Sequence, residues 1–260
     1  MRQLVDQMGR TVWVPETPKR VVSLVPSQTE LLYDLGLKDI IAGQTQYCIH
    51  PQNHFEFATK VGGTKKLNIQ VIRDIKPDLI IGNKEENEQS QIQELENEFP
   101  VWMSDIINLN DALNMIKALG AIFNLSEKAD VMAFEIEQGF SVLKNSNVKT
   151  KTALYFIWRK PFMVAGRNTF INNMLQCCGL ENAISDPDSR YPQLSAENIS
   201  SLKPDCMLLS SEPYPFKEKH IAELAVLCPN ATINIVDGEM FSWYGSRLLK
   251  APDYFSNLIT

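Results

Sequence analysis

The 260-residue chain has no Gly-x-Ser-x-Gly elbow, no phosphate-cradling P-loop and no dinucleotide glycine fingerprint. Nucleophilic-serine hydrolysis, P-loop nucleotide chemistry and hydride transfer therefore lack their usual sequence support. Histidine is scarce: His50 and His54 stand at i, i+4, but Pro51 between them makes a continuous metal-binding helix untenable, and His220 lies far away. The five cysteines, Cys48, Cys177, Cys178, Cys206 and Cys228, include no Cys-x-x-Cys pair. They read as small buried hydrophobes rather than a zinc site or a disulfide framework. With 25 Lys+Arg against 31 Asp+Glu the net charge is -6, which argues against a general polyanion surface and sets nucleic acid aside as a partner. No apolar stretch approaches membrane-spanning length. Residues 1–10 carry no apolar run behind their basic residue, so neither a secretory signal nor a lipoprotein leader is read there. The expectation is a cytoplasmic chain, or an extracytoplasmic one if a leader was removed.

What the chain does have is an internal repeat. Residues 68–85 (NIQVIRDIKPDLIIGNKE) run in register with residues 195–212 (SAENISSLKPDCMLLSSE), pairing Gln70 with Glu197. Each copy reads as a short helix, a Lys-Pro-Asp break and a buried strand. Upstream, Glu30–Leu37 is echoed by Asn173–Leu180, each a helix closed by a glycine suited to the left-handed conformation. Two similar lobes imply a cleft between them, the usual seat of a small ligand. A hydrophobic share of 44% with 22% charged residues is enough for two cores.

Alternating strand and helix patterns predict an α/β fold of two Rossmann-like lobes with mostly parallel sheets joined by one long helix. Arg20–Val25 is an apolar strand running into Pro26-Ser-Gln-Thr-Glu30, where Ser27 and Glu30 have capping-box spacing. Further strands are expected at 39–43, 78–82, 100–103, 152–157, 162–166, 205–209 and 232–236. Apolar positions Ala129, Met132, Ile136, Phe140 and Leu143 predict a helix from Ser126 to a stop at 145–147. The domains expected are an N-terminal lobe 1–123, a bridging helix 124–147 and a C-terminal lobe 148–260.

Parallel lobes bind ligands at the carboxyl ends of their strands. Those exits carry Tyr47, Thr64, Trp158, Arg159, Tyr191, Tyr214, Trp243, Tyr244 and Arg247, an aromatic-rich set for loops. Bland readings compete: Ser27 and Glu30 as a helix cap, Trp158 as a core residue, Tyr214 as a stiffener between prolines. Trp243 and Tyr244, beside Gly245 and Arg247 in a polar loop, point instead to a stacking surface with a cationic neighbour.

Five stretches in order, Asp6–Pro15 (DQMGRTVWVP), Lys19–Leu32 (KRVVSLVPSQTELL), Val61–Thr64 (VGGT), Ile75–Ile80 (IKPDLI) and Arg190–Ser195 (RYPQLS), resemble the substrate-binding proteins of iron-chelate and cobalamin ABC importers, the cobalamin branch most of all. The resemblance runs over nearly the whole chain. It implies the class III periplasmic-binding-protein fold, a helical-backbone metal receptor with a shallow cleft, little closure on binding, no catalysis and no intrinsic cofactor. By that resemblance Tyr47 matches a tyrosine facing the corrin ring. Tyr191 and Thr64 each fall on a cleft tryptophan of the cobalamin receptors, and Trp243 matches a third. One glutamate per lobe docks on permease arginines in that family; Glu197 matches the second, and Gln70 stands where the first would be. The expected function is non-catalytic binding of a corrinoid, or else a ferric siderophore or haem, by a monomer serving an ABC permease or derived from one that did. The alternative is a two-lobed enzyme, a chelatase or sugar-nucleotide transferase, using the same cleft.

Overall fold

The computed structural model describes residues 1–52, 58–144 and 150–259; His54 and the helix stop expected at 145–147 lie outside them. The chain divides into two units. Unit 1 comprises Met1–Ile106, Asn110–Glu137 and Trp243–Leu249; unit 2 comprises Ile107–Leu109, Gln138–Ser242 and Lys250–Thr260.

Unit 1 opens with a hairpin of β1 (Arg2–Val5) and β2 (Thr11–Val14), two strands absent from the sequence expectation. Its turn is organised by the buried Asp6, whose carboxylate accepts the Met8 and Arg10 N–H groups at 3.0 and 2.9 Å and the Arg10 Nε at 2.8 Å. The main sheet follows: β3 (Val21–Ser23), α1 (Pro26–Asp34), β4 (Ile41–Gln44), β5 (Thr59–Lys60), α2 (Ile69–Ile75), β6 (Leu79–Asn83), α3 (Gln89–Glu96), β7 (Val101–Ser104) and α4 (Leu109–Ile122). The five strands are parallel in the order β5-β4-β3-β6-β7. β3 and β6 are buried along their whole length, which is why they read as unbroken apolar runs. Val22, Ile72, Ile80, Ile92 and Met103 pack one core layer. The hairpin turn covers the outer edge of β7, with Gln7 N–H donating to Met103 O and Met103 N–H to Asp6 Oδ2.

The long helix α5 (Ser126–Lys144) starts where its sequence pattern placed it, and Ala129, Met132, Ile136, Phe140 and Leu143 are buried. Its residues through Glu137 belong to unit 1 and those from Gln138 to unit 2.

Unit 2 contains β8 (Lys151–Trp158), β9 (Phe162–Val164), α6 (Phe170–Cys177), β10 (Leu180–Asn182), β11 (Gln193–Leu194), α7 (Ala196–Leu202), β12 (Cys206–Ser210), α8 (Glu218–Leu227), β13 (Thr232–Val236), α9 (Gly238–Ser242) and α10 (Ala251–Ile259). Its sheet is mixed: β8, β10, β12 and β13 are parallel, whereas β9 pairs antiparallel with both β8 and β11 at one end.

The repeat is real down to its hydrogen bonds. Asn68 caps α2 by accepting the Val71 N–H, and Ser195 caps α7 by accepting that of Asn198, both at 3.2 Å. Both helices end on a left-handed lysine, Lys76 at φ 53 and Lys203 at φ 44. Each following aspartate reaches the start of the neighbouring strand: Asp78 accepts Lys19 and Arg20 N–H at 2.7 and 2.9 Å, and Asp205 accepts Thr152 N–H at 2.7 Å. Gly36 and Gly179 close α1 and α6 at φ 91 and 72.

Two expectations are corrected. Val25 is the N-cap of α1, with Pro26 in its first turn and no side-chain cap bond, so Ser27 and Glu30 form no capping box. Trp243–Leu249, assigned by sequence to the C-terminal lobe 148–260, packs in unit 1 because Gly245 lies directly on α1: a Cβ there would stand 2.5 Å from Ser27 O.

Candidate functional site

In unit 1, four parallel strands end on a buried polar residue: Ser23, Gln44, Asn83 and Ser104. A hydrogen-bonded layer joins them to α1. Gln28 Nε2 donates to Ser104 Oγ at 2.5 Å, Asn83 Nδ2 to the same oxygen at 2.9 Å, and Thr29 Oγ1 to Ser23 Oγ at 2.7 Å. Tyr33 donates to Gln44 Oε1 at 2.9 Å, and burial pushes its phenol up to about 12. Asn83 Oδ1 turns the following loop by accepting the Glu85 and Glu86 N–H groups, while Asn87 donates to Thr64 O at 3.1 Å. This layer sits at the carboxyl edge and gives the exit loops a stiff footing. None of Gln28, Asn83, Asn87 and Ser104 is among the candidates named from sequence; for Asn83 and Ser104 a polar residue ending an apolar strand was the available signal.

Above that layer the loops diverge in character. Tyr47 is 54% exposed, and its ring lies over Gly63, where a Cβ would meet Cε2 at 3.0 Å. Thr64, next to Gly63 in sequence, is half-buried. Trp243, Tyr244 and Arg247 behave differently, at 7%, 5% and 8% exposed. The cationic neighbour expected beside Trp243 is there, and ring and guanidinium are both buried. Arg247 lies over the Trp243 ring at 4.9 Å and makes a two-pronged ion pair with Glu30, Nε to Oε2 at 3.0 Å and NH2 to Oε1 at 2.6 Å. The His50 ring stands edge-on to Trp243 with centroids 5.4 Å apart. Glu30, read as a cap residue, is thus the counter-ion of a residue 217 positions away.

In unit 2, Trp158 at the end of β8 is 42% exposed, so the core reading fails. Its ring meets Tyr214 at 5.6 Å, and Tyr214 packs on Phe216 at 4.8 Å. Arg159 is committed to Glu223 through Nε and NH2 at 2.8 and 3.0 Å. Tyr191 is half-buried with the Arg190 guanidinium 6.0 Å from its ring centroid. That loop is seated on Gly166, where a Cβ would overlap Ser189 O at 2.0 Å. β12 also ends on a buried polar residue, Ser210, which accepts from Tyr155 at 3.1 Å. A cavity of about 590 Å³ in this unit runs past Arg167, Asn172, Gln176 and Asn182; no candidate residue lines it.

Gln70 and Glu197 both occupy the second position of their helices and are exposed. Gln70 donates to Asp74 Oδ1 at 2.9 Å. The Ser195 hydroxyl, and then the backbone, hold the Glu197 carboxyl below its ordinary range. No helix among the described residues is long and apolar enough to cross a membrane.

The sequence model of the periplasmic binding protein family matches residues 21–225. The chain belongs to this family. A vitamin B12-binding protein of Pectobacterium atrosepticum is 26% identical to this periplasmic binding protein over 244 residues, which cover 90% of this chain and 86% of the relative. Among solved structures, the periplasmic vitamin B12-binding protein of Vibrio cholerae superposes with a TM-score of 0.80 at 22% identity, covering 93% of this chain and 96% of the other. The petrobactin-binding protein of Bacillus subtilis superposes at 0.82 with 18% identity, covering 98% and 97%. At those identities the two structures establish the fold: α/β units with parallel strands, as periplasmic binding proteins of class III have.

Proposed function

We propose that this periplasmic binding protein is the substrate-binding component of an ABC importer and carries a metal chelate, a corrinoid first and a ferric siderophore or haem next. The observation behind the reading is the pairing of exposed aromatic side chains, Tyr47 and Trp158, with exit loops seated on buried polar strand ends. Broad apolar rings suit such aromatics, and a few polar groups suffice to orient them. Tyr47 and Thr64 in unit 1 and Trp158, Tyr191 and Tyr214 in unit 2 are the contacts in this reading, whereas Trp243, Tyr244 and Arg247 are buried. Relatives described as vitamin B12-binding favour the corrinoid. Binding is preferred over chelatase or transferase chemistry because Arg159 and Arg247, the cationic candidates, are tied up by Glu223 and Glu30. Such a component works outside the cytoplasmic membrane and presents Glu197 to a permease arginine. Titration of intrinsic fluorescence against cobalamin, cobinamide, haem and a set of ferric siderophores tests the reading. Trp158→Ala or Tyr47→Ala is expected to cost about 1–3 kcal/mol of binding. If no chelate changes the fluorescence or the melting temperature, the reading is wrong.

A further inference from the structure

In unit 2 four rings form a chain from solvent to the interior. Trp158 meets Tyr214 at 5.6 Å, Tyr214 meets His220 at 5.6 Å, and Phe216 packs edge-on to His220 at 5.5 Å. Trp158 is exposed, Tyr214 half-buried, and Phe216 and His220 are buried. At the inner end His220 Nδ1 accepts the Lys217 N–H at 2.8 Å, so that nitrogen carries no proton. The ring's proton then sits on Nε2, which lies 3.4 Å from the Tyr214 hydroxyl.

We propose that neutral His220 is a positioning residue that anchors Tyr214 and, through it, holds Trp158 in place for ligand contact, and that protonating His220 releases this aromatic wall. The proposal rests on the function above only in taking Trp158 as a ligand contact. A second ring proton would put Nδ1–H against the Lys217 N–H, two donors facing each other at the first turn of α8. The charges around the imidazole oppose that proton. Arg159 at the end of β8 and Lys217 and Lys219 at the start of α8 are cations, and Glu223 is the facing carboxylate, already paired with Arg159. Burial, then Arg159, hold the imidazole below its ordinary value. Release therefore belongs to mildly acidic conditions.

Ligand-free tryptophan fluorescence of the wild type, minus that of Trp158→Phe, is followed from about pH 8 to about pH 5. The expected result is a transition below about pH 6.5 in the wild type. It should vanish in His220→Asn, whose carboxamide oxygen keeps accepting from Lys217 without titrating. Tyr214→Phe keeps the ring but drops the hydroxyl, and is expected to shrink the transition, which guards against misfolding of the histidine variant. No transition in the wild type, or an undiminished one in both variants, overturns the proposal. Cyanocobalamin serves as the binding probe. Its affinity should fall roughly fivefold from neutral to mildly acidic pH, as loss of one aromatic contact implies, and stay level in His220→Asn. A pH-independent affinity in the wild type also overturns it. Failure of cyanocobalamin to bind at all counts against the corrinoid, and the ligand-free measurement then decides the positioning role alone.

Discussion

Replacing Glu30 with glutamine tests whether the buried ion pair beneath Trp243 governs the stability of unit 1. Both side chains are nearly excluded from water, and the bonds are 3.0 and 2.6 Å long. At about 2.8 Å and an effective dielectric constant of about 20, the direct attraction is about 6 kcal/mol, most of it cancelled by the cost of taking both charges out of water. Glu30→Gln removes the charge–charge attraction while leaving the Arg247 guanidinium buried. The expected loss is about 3–5 kcal/mol, a fall of roughly 6–20 °C in melting temperature for a chain of this size. Glu30→Met combined with Arg247→Met removes both charges at similar volume, and is expected to recover most of the loss, short by about 1 kcal/mol for the forfeited cation–ring contact. Calorimetry and urea titration of the single and double variants read both effects. A Glu30→Gln protein melting within about 2 °C of the wild type, or a double variant no better than the single, would refute the reasoning.

Gly245→Ala should destabilise by about 1–3 kcal/mol in urea titration, because its Cβ would press on Ser27 O. Lys76→Gly and Lys203→Gly should each raise stability by roughly 0.5–1 kcal/mol, relieving left-handed lysines at φ 53 and 44. His220 has its folded-state pKa below its unfolded value, so the unfolded chain takes up the proton first. Stability is then undiminished above about pH 6.5 and falls as pH drops below it; His220→Asn should flatten that acid limb in melts across pH. Gln70→Glu should strengthen, and Glu197→Ala weaken, salt-sensitive docking on a cognate permease in nanodiscs, since a carboxylate in the first helical turn is favoured there. Permease binding indifferent to both changes would show that these positions are not docking points.

Local pattern carried most of the architecture. The start of α5, the Lys-Pro-Asp breaks and the closing glycines were legible because periodicity and turn chemistry act over a few residues. The β1–β2 hairpin was missed because its four-residue strands are too short to outweigh noise, and its meaning lies in covering β7, far along the chain. Glu30 was misread for a related reason. Its spacing from Ser27 satisfies a cap rule, yet Pro26 shifts the helix start, and the carboxylate is claimed by Arg247. At the site, exit aromatics were visible as types and positions. Their exposure was not, since it depends on what packs over each ring.

The return of Trp243–Leu249 to unit 1 bears on how the polypeptide is made. Arg247 leaves the ribosome 217 residues after Glu30, a lag of roughly 10–40 s at ordinary elongation rates. During that interval nearly all of the unit's sheet has been synthesised while its α1 carboxylate still lacks a counter-ion. Completion of unit 1 is thereby postponed until Trp243–Leu249 has been made. A nascent chain cut short before residue 247 would leave both units unfinished, unit 1 without its closing segment and unit 2 without α10.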